Sequence, residues 1–410
     1  MGTTKGLLLV VIAGAAFFGS RIAFGWLGRR WIVVSGAEYL LLGVILGPHA
    51  AGLLSRETLD SFAPFTSLAI GWIGAQIGAR LILPTLVRIP ARLYRVAIVE
   101  SLLTVATVTA IMTVALAWWL PLPWEMALTP ALALGGIATV ASEGSVRVAA
   151  ESAPDRGPVL EQLEVSAAAS SVIAIAVISF ILAVHHVAPA GPGRPPTTTE
   201  WAVINAGIGI VGGALFHLFL GDDVTADRLF ISMAGALILV SGAAEFIRVS
   251  PLLATLWFGA VLANTTRHPT RIVASLDRVQ RPLYFALLIF GGANWHPSVH
   301  AWALPVALFL IVRIGARVGS GRLSARWNGE LPALGEQWSW GLVGQGGLAV
   351  AIALSYVFQD NLPLPNIVLT AAILSVLLTE VLSARLIQAL LRFRFAAAIR
   401  RAPAPNHEAR

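Results

Sequence analysis

The feature that most constrains this chain is a series of apolar stretches, most of them about 20 residues long, separated by short polar gaps. About 20 apolar residues in a helix span the hydrocarbon core of a bilayer. In lipid, only helices and closed barrels satisfy every backbone N–H and C=O group. The stretches lack the alternation of polar and apolar residues that is typical of barrel strands. The chain is therefore predicted to be an all-α polytopic membrane protein that is embedded in the lipid bilayer.

Composition excludes several classes of chemistry. The chain is 57% hydrophobic and 12% charged, whereas soluble domains contain roughly 25% charged residues. The absence of cysteine excludes disulfides, thiol nucleophiles and iron–sulfur clusters. Lys5 is the only lysine, which leaves no P-loop lysine and no retinal Schiff base within the membrane. We expect no cofactor, no metal centre and no enzymatic activity. The net charge of +7 does not indicate a nucleic-acid partner, because the arginines fall in short loops between apolar runs.

Apolar runs and polar gaps predict about thirteen transmembrane helices. The first run is long for a signal peptide and lacks a clear cleavage site, so it is interpreted as a retained helix. The transmembrane domain is predicted to cover residues 1–392, followed by a short basic tail over residues 393–410. The predicted helices lie near residues 5–26, 33–54, 62–84, 95–119, 125–150, 158–185, 201–220, 226–247, 250–265, 280–295, 298–321, 338–358 and 364–392.

The distribution of arginine predicts the orientation. Arginines gather in every second gap, beginning with Arg29 and Arg30 and ending with Arg400 and Arg401 in the tail, while gaps such as 121–123 contain none. Basic residues collect in cytoplasmic loops. A multi-pass protein of the cell membrane is predicted, with its N-terminus outside and its C-terminus in the cytoplasm.

Two predicted helices have glycine-rich centres. The fifth contains Gly135-Gly136 and residues 141–145 (Ala-Ser-Glu-Gly-Ser), and the twelfth contains the run 341–347 with four glycines. Small residues also serve close helix packing, which is the alternative interpretation. A shift by seven helices, however, maps helices two to six onto nine to thirteen in opposite orientation and the fifth onto the twelfth. Such paired interruptions are typical of transporters built from inverted repeats. We therefore predict inverted five-helix repeats with two crossed discontinuous helices.

Four segments in the expected order resemble the monovalent cation:proton antiporter superfamily, which includes sodium/hydrogen exchangers and potassium efflux antiporters. They are residues 39–48 (ending Leu-Gly-Pro), 250–264, 281–294 and 341–349. The resemblance implies a core domain of helices 4–6 and 11–13 beside a scaffold domain of helices 1–3 and 8–10, with helix 7 as linker. It also implies alternating access, a monovalent cation and a proton as partners, and a homodimer.

The sequence departs from this family at its acidic pair. The resemblance places an Asp-Asp or Asn-Asp pair on the sixth helix, where this chain has Ser170 and Ser171. A serine hydroxyl does not titrate in the physiological range. Another group must then supply the titratable charge if protons are exchanged.

Glu143 is the first candidate for that charge, because it lies in the interrupted centre of the fifth helix. A carboxylate at the bilayer centre costs about 2.5–3.5 kcal/mol, which makes each intramembrane acid a functional hypothesis. The alternatives are a carboxylate in a cytoplasmic vestibule or one paired with Arg147. Neutral oxygen ligands could come from further candidates near the crossing, although serines in membrane helices often bond back to their own helix. Those candidates are Thr139, Ser142, Ser170, Ser171 and Gln345.

Glu164 and Arg313 are candidates for a structural ion pair. The resemblance places a glutamate before the acidic pair and a basic residue on the eleventh helix. Arg313 could instead snorkel or pair with Glu143.

Other polar residues of the apolar runs are interpreted mainly as structural. Glu100, Glu245 and Glu380 are interpreted as helix-end residues at the membrane surface. Three histidines could relay protons or be purely structural: His185, His186 and His217.

Together these features predict a secondary transporter that exchanges Na⁺ or K⁺ for protons, with an electroneutral cycle or altered coupling. The alternative is a degenerate homologue that carries another ion or solute or acts as a non-transporting membrane sensor.

Overall fold

The computed structural model describes residues 37–152, 157–187, 194–220, 225–296, 299–359 and 361–401, so the first predicted helix (5–26) lies outside the described residues. Within the described ranges all regular structure is helical. The α-helices are α1 (Ala37–Leu46), α2 (Arg56–Ser61), α3 (Ala63–Ala79), α4 (Leu83–Leu86), α5 (Ala91–Trp119), α6 (Trp124–Thr139), α7 (Glu143–Ser152), α8 (Pro158–Val184), α9 (Thr198–Leu220), α10 (Ala226–Phe246), α11 (Pro251–Thr265), α12 (Pro269–Asp277), α13 (Gln280–Ala293), α14 (Val299–Trp327), α15 (Leu331–Leu334), α16 (Gly347–Val357) and α17 (Pro365–Arg401). A 3₁₀ helix over Trp338–Leu342 precedes α16.

Most predicted helices agree with these bounds within a few residues. Six helical segments of the described part are long and apolar enough to cross a membrane. The second predicted helix is shorter than expected, since α1 ends at Leu46, close to Pro48, a residue that breaks helices. The last helix continues to Arg401, into the segment predicted as a tail. The amphipathic α12 was not predicted, because it lies in a gap rather than in an apolar run.

The two glycine-rich helices are interrupted, as the sequence predicts. α6 ends at Thr139 and α7 begins at Glu143, while the 3₁₀ helix ends at Leu342 and α16 begins at Gly347. The backbone N–H of Ser142 donates to the carbonyl oxygen of Gly344 at 2.9 Å. The two interruptions therefore meet, and the crossing of the discontinuous helices is confirmed.

Two buried clusters are distinct from the largest buried cluster of the described residues. The first, called here the α3–α12 cluster, joins α3, α10, α11 and α12 through Trp72, Ala75, Leu229, Met233, Phe258, Ile272 and Leu276. The second, called the α7–α8 cluster, joins α7 and α8 to the 3₁₀ helix and α17 through Val146, Ala149, Leu160, Leu163, Trp338 and Ile387. The half-helix that begins at Glu143 thus packs apart from α3 and α12.

Close packing of α3 on α11 depends on glycine. A methyl group placed on Gly78 would lie 1.9 Å from the carbonyl oxygen of Leu256, and one on Gly259 would lie 2.2 Å from the carbonyl oxygen of Ala75. Such distances are far below van der Waals contact. The two helices therefore approach each other backbone to backbone.

We expect Gly78→Ala to lower the stability of the purified protein by about 1–3 kcal/mol, because the methyl group forces α3 away from α11. Gly235→Ala is the matched control. Gly235 is an exposed position of α10 with no atom within 4 Å of the added carbon, so the substitution should be neutral or stabilising by about 0.5–1 kcal/mol. Thermal unfolding in detergent measures both, and equal effects of the two variants would contradict this account of the packing.

Candidate ion-binding site at the helix crossing

The crossing leaves backbone groups of four helix ends without partners in their own helices. Two contacts between the broken helices satisfy some of them. Besides the Ser142 to Gly344 bond, the Nε2 of Gln345 donates to the carbonyl oxygen of Ile137 on α6. Gln345 is fully buried, and its Oε1 has no hydrogen-bond partner among the described residues. One backbone hydrogen bond and one side-chain hydrogen bond thus connect the two interrupted helices at the crossing.

Two arginines of α14 bind carbonyls at the interruption before α16. Arg313 and Arg317 lie one helical turn apart and both are fully buried. Nη2 of Arg313 donates to the carbonyl oxygen of Val343 at 2.7 Å, and Nε of Arg317 donates to that of Leu342 at 3.3 Å. Carbonyls at a helix C-terminus carry partial negative charge. The guanidinium groups therefore stabilise the C-terminal end of the 3₁₀ helix.

Glu100 of α5 supplies the counter-charge. Its Oε1 lies 2.9 Å from Nη1 of Arg317, and both side chains are completely inaccessible to solvent. The hydroxyls of Ser101 and Thr104 also donate to the carboxylate, each at 3.2 Å. Nη1 of Arg317 donates in addition to Oγ1 of Thr139, the last residue of α6, at 3.2 Å. A buried ion pair thus links α5 and α14 to both interrupted helices.

Two interpretations from the sequence differ from what the structure shows. Glu100 is fully buried, so its assignment to the membrane surface was wrong. Glu164 and Arg313 do not form a salt bridge in the described part of the chain; Glu164 lies half-buried on α8. α5 packs along α14 and brings Glu100 to Arg317. A run of polar residues within an apolar helix, Glu100-Ser101 and Thr104, was the available signal.

Glu143 begins α7 and lies beside the crossing. Its Oε1 accepts a hydrogen bond from the Ser171 hydroxyl at 2.8 Å, and its Oε2 lies 3.0 Å from Nη1 of Arg80. Its cationic partner is therefore Arg80 of the loop after α3, not Arg147. The carboxylate also lies at the N-terminal, positive end of a helix. About a quarter of the side chain, 25%, remains accessible.

The structure brings Glu143 together with one of the two serines at the position of the acidic pair. The Ser171 hydroxyl is also 3.0 Å from the carbonyl oxygen of Ala167, so its single proton can serve one acceptor at a time. Ser170 instead bonds back to the Ala167 carbonyl at 2.9 Å. The hydroxyl of Ser142 donates to that of Ser145 at 3.0 Å. Among the predicted neutral ligands, Ser171 is thus the one that contacts the acid.

The sequence model of the transmembrane region of sodium/hydrogen exchangers matches residues 15–392. The chain belongs to the sodium/hydrogen exchanger family. This family is one of transporters rather than enzymes, and membership supports cation/proton antiport by a multi-pass membrane protein. No curated protein matches the chain.

Solved structures agree with the family fold. The sodium proton antiporter MjNhaP1 from Methanocaldococcus jannaschii at pH 8 is similar with a TM-score of 0.69 and 16% identity, covering 95% of this chain and 98% of that one. An electron-microscopy structure of the same antiporter is similar with a TM-score of 0.68 and 15% identity over the same shares. The antiporter-like fold predicted from the sequence is therefore confirmed.

Two histidines of this exchanger-family chain, His185 and His186, have local partners. His185 Nε2 lies 2.9 Å from the Thr129 hydroxyl, and burial lowers the pKa of His185. His186 Nε2 lies 2.7 Å from the carbonyl oxygen of Ile247. These contacts are typical of structural histidines.

The other polar residues singled out in the sequence are Glu245, His217 and Glu380. Glu245 accepts a hydrogen bond from the Ser67 hydroxyl at 2.7 Å. His217 is partly buried on α9. The side chain of Glu380 lies outside the described residues.

Proposed function

We propose that this chain is a secondary transporter that exchanges Na⁺ or K⁺ for protons by alternating access, with Glu143 as the carboxylate for which the two ions compete. The observation that supports this role is the position of Glu143 beside the helix crossing, bonded to Ser171 and partly open to solvent. Glu100 differs from it in this respect, because it is inaccessible to solvent and paired with Arg317.

The chemistry follows from the carboxylate and its neighbours. Oxygen atoms are the ligands preferred by hard cations, and Glu143 with the hydroxyl of Ser171 offers a charged and a neutral oxygen donor. A proton on Glu143 removes the negative charge that attracts the cation. Binding of one ion therefore expels the other, and a single carboxylate moves one positive charge in each direction. The proposed cycle is electroneutral.

The division into moving parts is also part of the proposal. Predicted helices 1–3 and 8–10 form a scaffold, helices 4–6 and 11–13 form a core, and helix 7 links them. The membership of two buried clusters supports this division, since the α3–α12 cluster joins helices of the scaffold side and the α7–α8 cluster joins helices of the core. The proposal includes a homodimer, which the family resemblance implies. It also includes an exterior N-terminus and a cytoplasmic C-terminus, and this orientation rests on the arginine distribution.

Wild-type protein in proteoliposomes with an enclosed pH dye tests the function. Sodium and potassium are added outside in separate pulses, at several pH values around neutrality, and the internal pH is followed. At least one of the two cations should enter the vesicles and drive protons out. A voltage-sensitive dye should report no potential if the cycle is electroneutral. Choline pulses and protein-free vesicles are the controls.

A second function has support from the same site. Serine stands at both positions of the acidic pair, and Glu143 is neutralised by Arg80. A degenerate homologue that carries another ion or solute, or a non-transporting sensor, fits those two facts. Absence of cation-driven proton flux in the wild-type assay would favour it.

A further inference from the structure

Arg80 lies between the carboxylates of Glu143 and Asp277, and its position allows it to pair with either of them. It is the residue that follows α3. Its Nη1 is 3.0 Å from Oε2 of Glu143 and its Nη2 is 3.4 Å from Oδ1 of Asp277. All three side chains are partly accessible, at 26%, 25% and 37%. A planar guanidinium can bind two acceptors at once through different nitrogens.

The two carboxylates belong to different packed units. Asp277 ends α12, and its Oδ1 also accepts a hydrogen bond from Nε2 of Gln76 on α3 at 3.2 Å. The preceding carbonyl, of Leu276, accepts from Nε1 of Trp72 at 3.0 Å. Asp277 is therefore held against the helix that positions Arg80. Glu143, in contrast, begins the half-helix of the α7–α8 cluster.

We infer that Arg80 is a tethered counter-cation that occupies Glu143 when no ion is bound and moves to Asp277 when a cation enters. The inference rests on the proposed function of Glu143. A metal cation and a guanidinium cannot share one carboxylate oxygen without strong like-charge repulsion. Release of Arg80 leaves it paired, because Asp277 is already within reach. The same exchange breaks the ion pair that joins Arg80, after α3, to the start of α7.

Substitutions of Arg80 and Asp277 then have opposite effects on cation binding. Arg80→Gln removes the competitor and should lower the apparent Kd and KM for the cation about two- to fivefold, the range of a partly exposed ion pair. Asp277→Asn removes the alternative partner, which holds Arg80 on Glu143 more firmly, and should raise both constants by a similar factor. Cation-dependent thermal stabilisation reports Kd, and vesicle flux reports KM.

A double-mutant cycle separates this exchange from simple through-space electrostatics. If Asp277 acts through Arg80, Asp277→Asn has no further effect in the Arg80→Gln background. An unchanged effect there, or shifts of the same sign in both single variants, would overturn the inference. Arg278→Gln is the matched control: Arg278 follows Asp277 but pairs at 3.0 Å with the exposed Asp227, so Kd and KM should not change.

Two further outcomes are informative. If Arg80→Gln does not fold, Arg80→Lys replaces it, because lysine keeps the charge but offers a single donor group. Arg80→Lys should lower the Kd for the cation, while Asp277→Asn should still raise it. A Kd equal to wild type in both variants overturns the inference. Absence of flux in wild type with the Kd shifts intact overturns the proposed function alone. Absence of any cation binding by wild type overturns both.

Discussion

Glu143→Gln is expected to reduce cation-driven proton movement to the level of protein-free vesicles. The amide keeps the volume of the side chain and can still accept the hydrogen bond from Ser171, but it neither titrates nor carries charge. The fold should survive, because the lost ion pair with Arg80 is partly exposed and such pairs contribute about 0–1 kcal/mol. Flux in proteoliposomes and thermal unfolding of the same preparation measure the two effects.

Glu151→Gln is the matched control for this substitution. Glu151 lies on the same half-helix but is exposed at its far end, so both flux and stability should remain at the wild-type level. Unchanged flux in the Glu143→Gln variant would remove Glu143 from the proposed mechanism and favour the degenerate-homologue alternative.

The second large effect concerns stability. Glu100→Gln strands the guanidinium of Arg317 in a site with no solvent access, and removal of one partner from a buried pair typically costs about 3–5 kcal/mol. The loss should be greater than for most membrane-helix substitutions, because Arg317 also binds the Leu342 carbonyl and Thr139 at the crossing. Chemical or thermal unfolding in detergent gives the difference.

A paired variant tests whether the loss comes from the stranded charge. Glu100→Gln combined with Arg317→Met removes both charges, so the double variant should be more stable than Glu100→Gln alone. Glu164→Gln is the control and should change stability by only about 0.5 kcal/mol, since Glu164 has no salt bridge to Arg313. A larger loss in Glu164→Gln than in Glu100→Gln would contradict the pairing seen in the structure.

Part of the candidate site was readable from the sequence. The glycine-rich centres of two apolar runs predicted the interruptions around Ser142 and Gly344 correctly, because a break in a bilayer helix has a local compositional signature. Glu143 was singled out for the same reason. That it contacts Ser171 follows from the way α7 and α8 fold back on each other, over a short chain separation.

The ion pairs between residues far apart in the sequence could not be predicted. Glu100 and Arg317 are 217 positions apart, and Arg80 and Asp277 are 197 apart. For each of these residues the chain contains several possible partners of opposite charge. The sequence holds no information on the rotation of one helix against another, which decides between them. Glu164 was therefore chosen as a partner for Arg313 by resemblance, and the described residues show no salt bridge between the two.

The sequence by itself determined the class of protein, the course of the helices and the two places where they break, because hydropathy and glycine content act within single segments. Only the tertiary structure decided which charges meet: Arg317 with Glu100 inside the protein, and Arg80 with Glu143 and Asp277 at its edge. The physical reason is that a buried or half-buried charge is stabilised by whichever opposite charge the packing brings within a few ångströms. Helix-to-helix distances set that choice, and they arise from contacts spread over the whole chain.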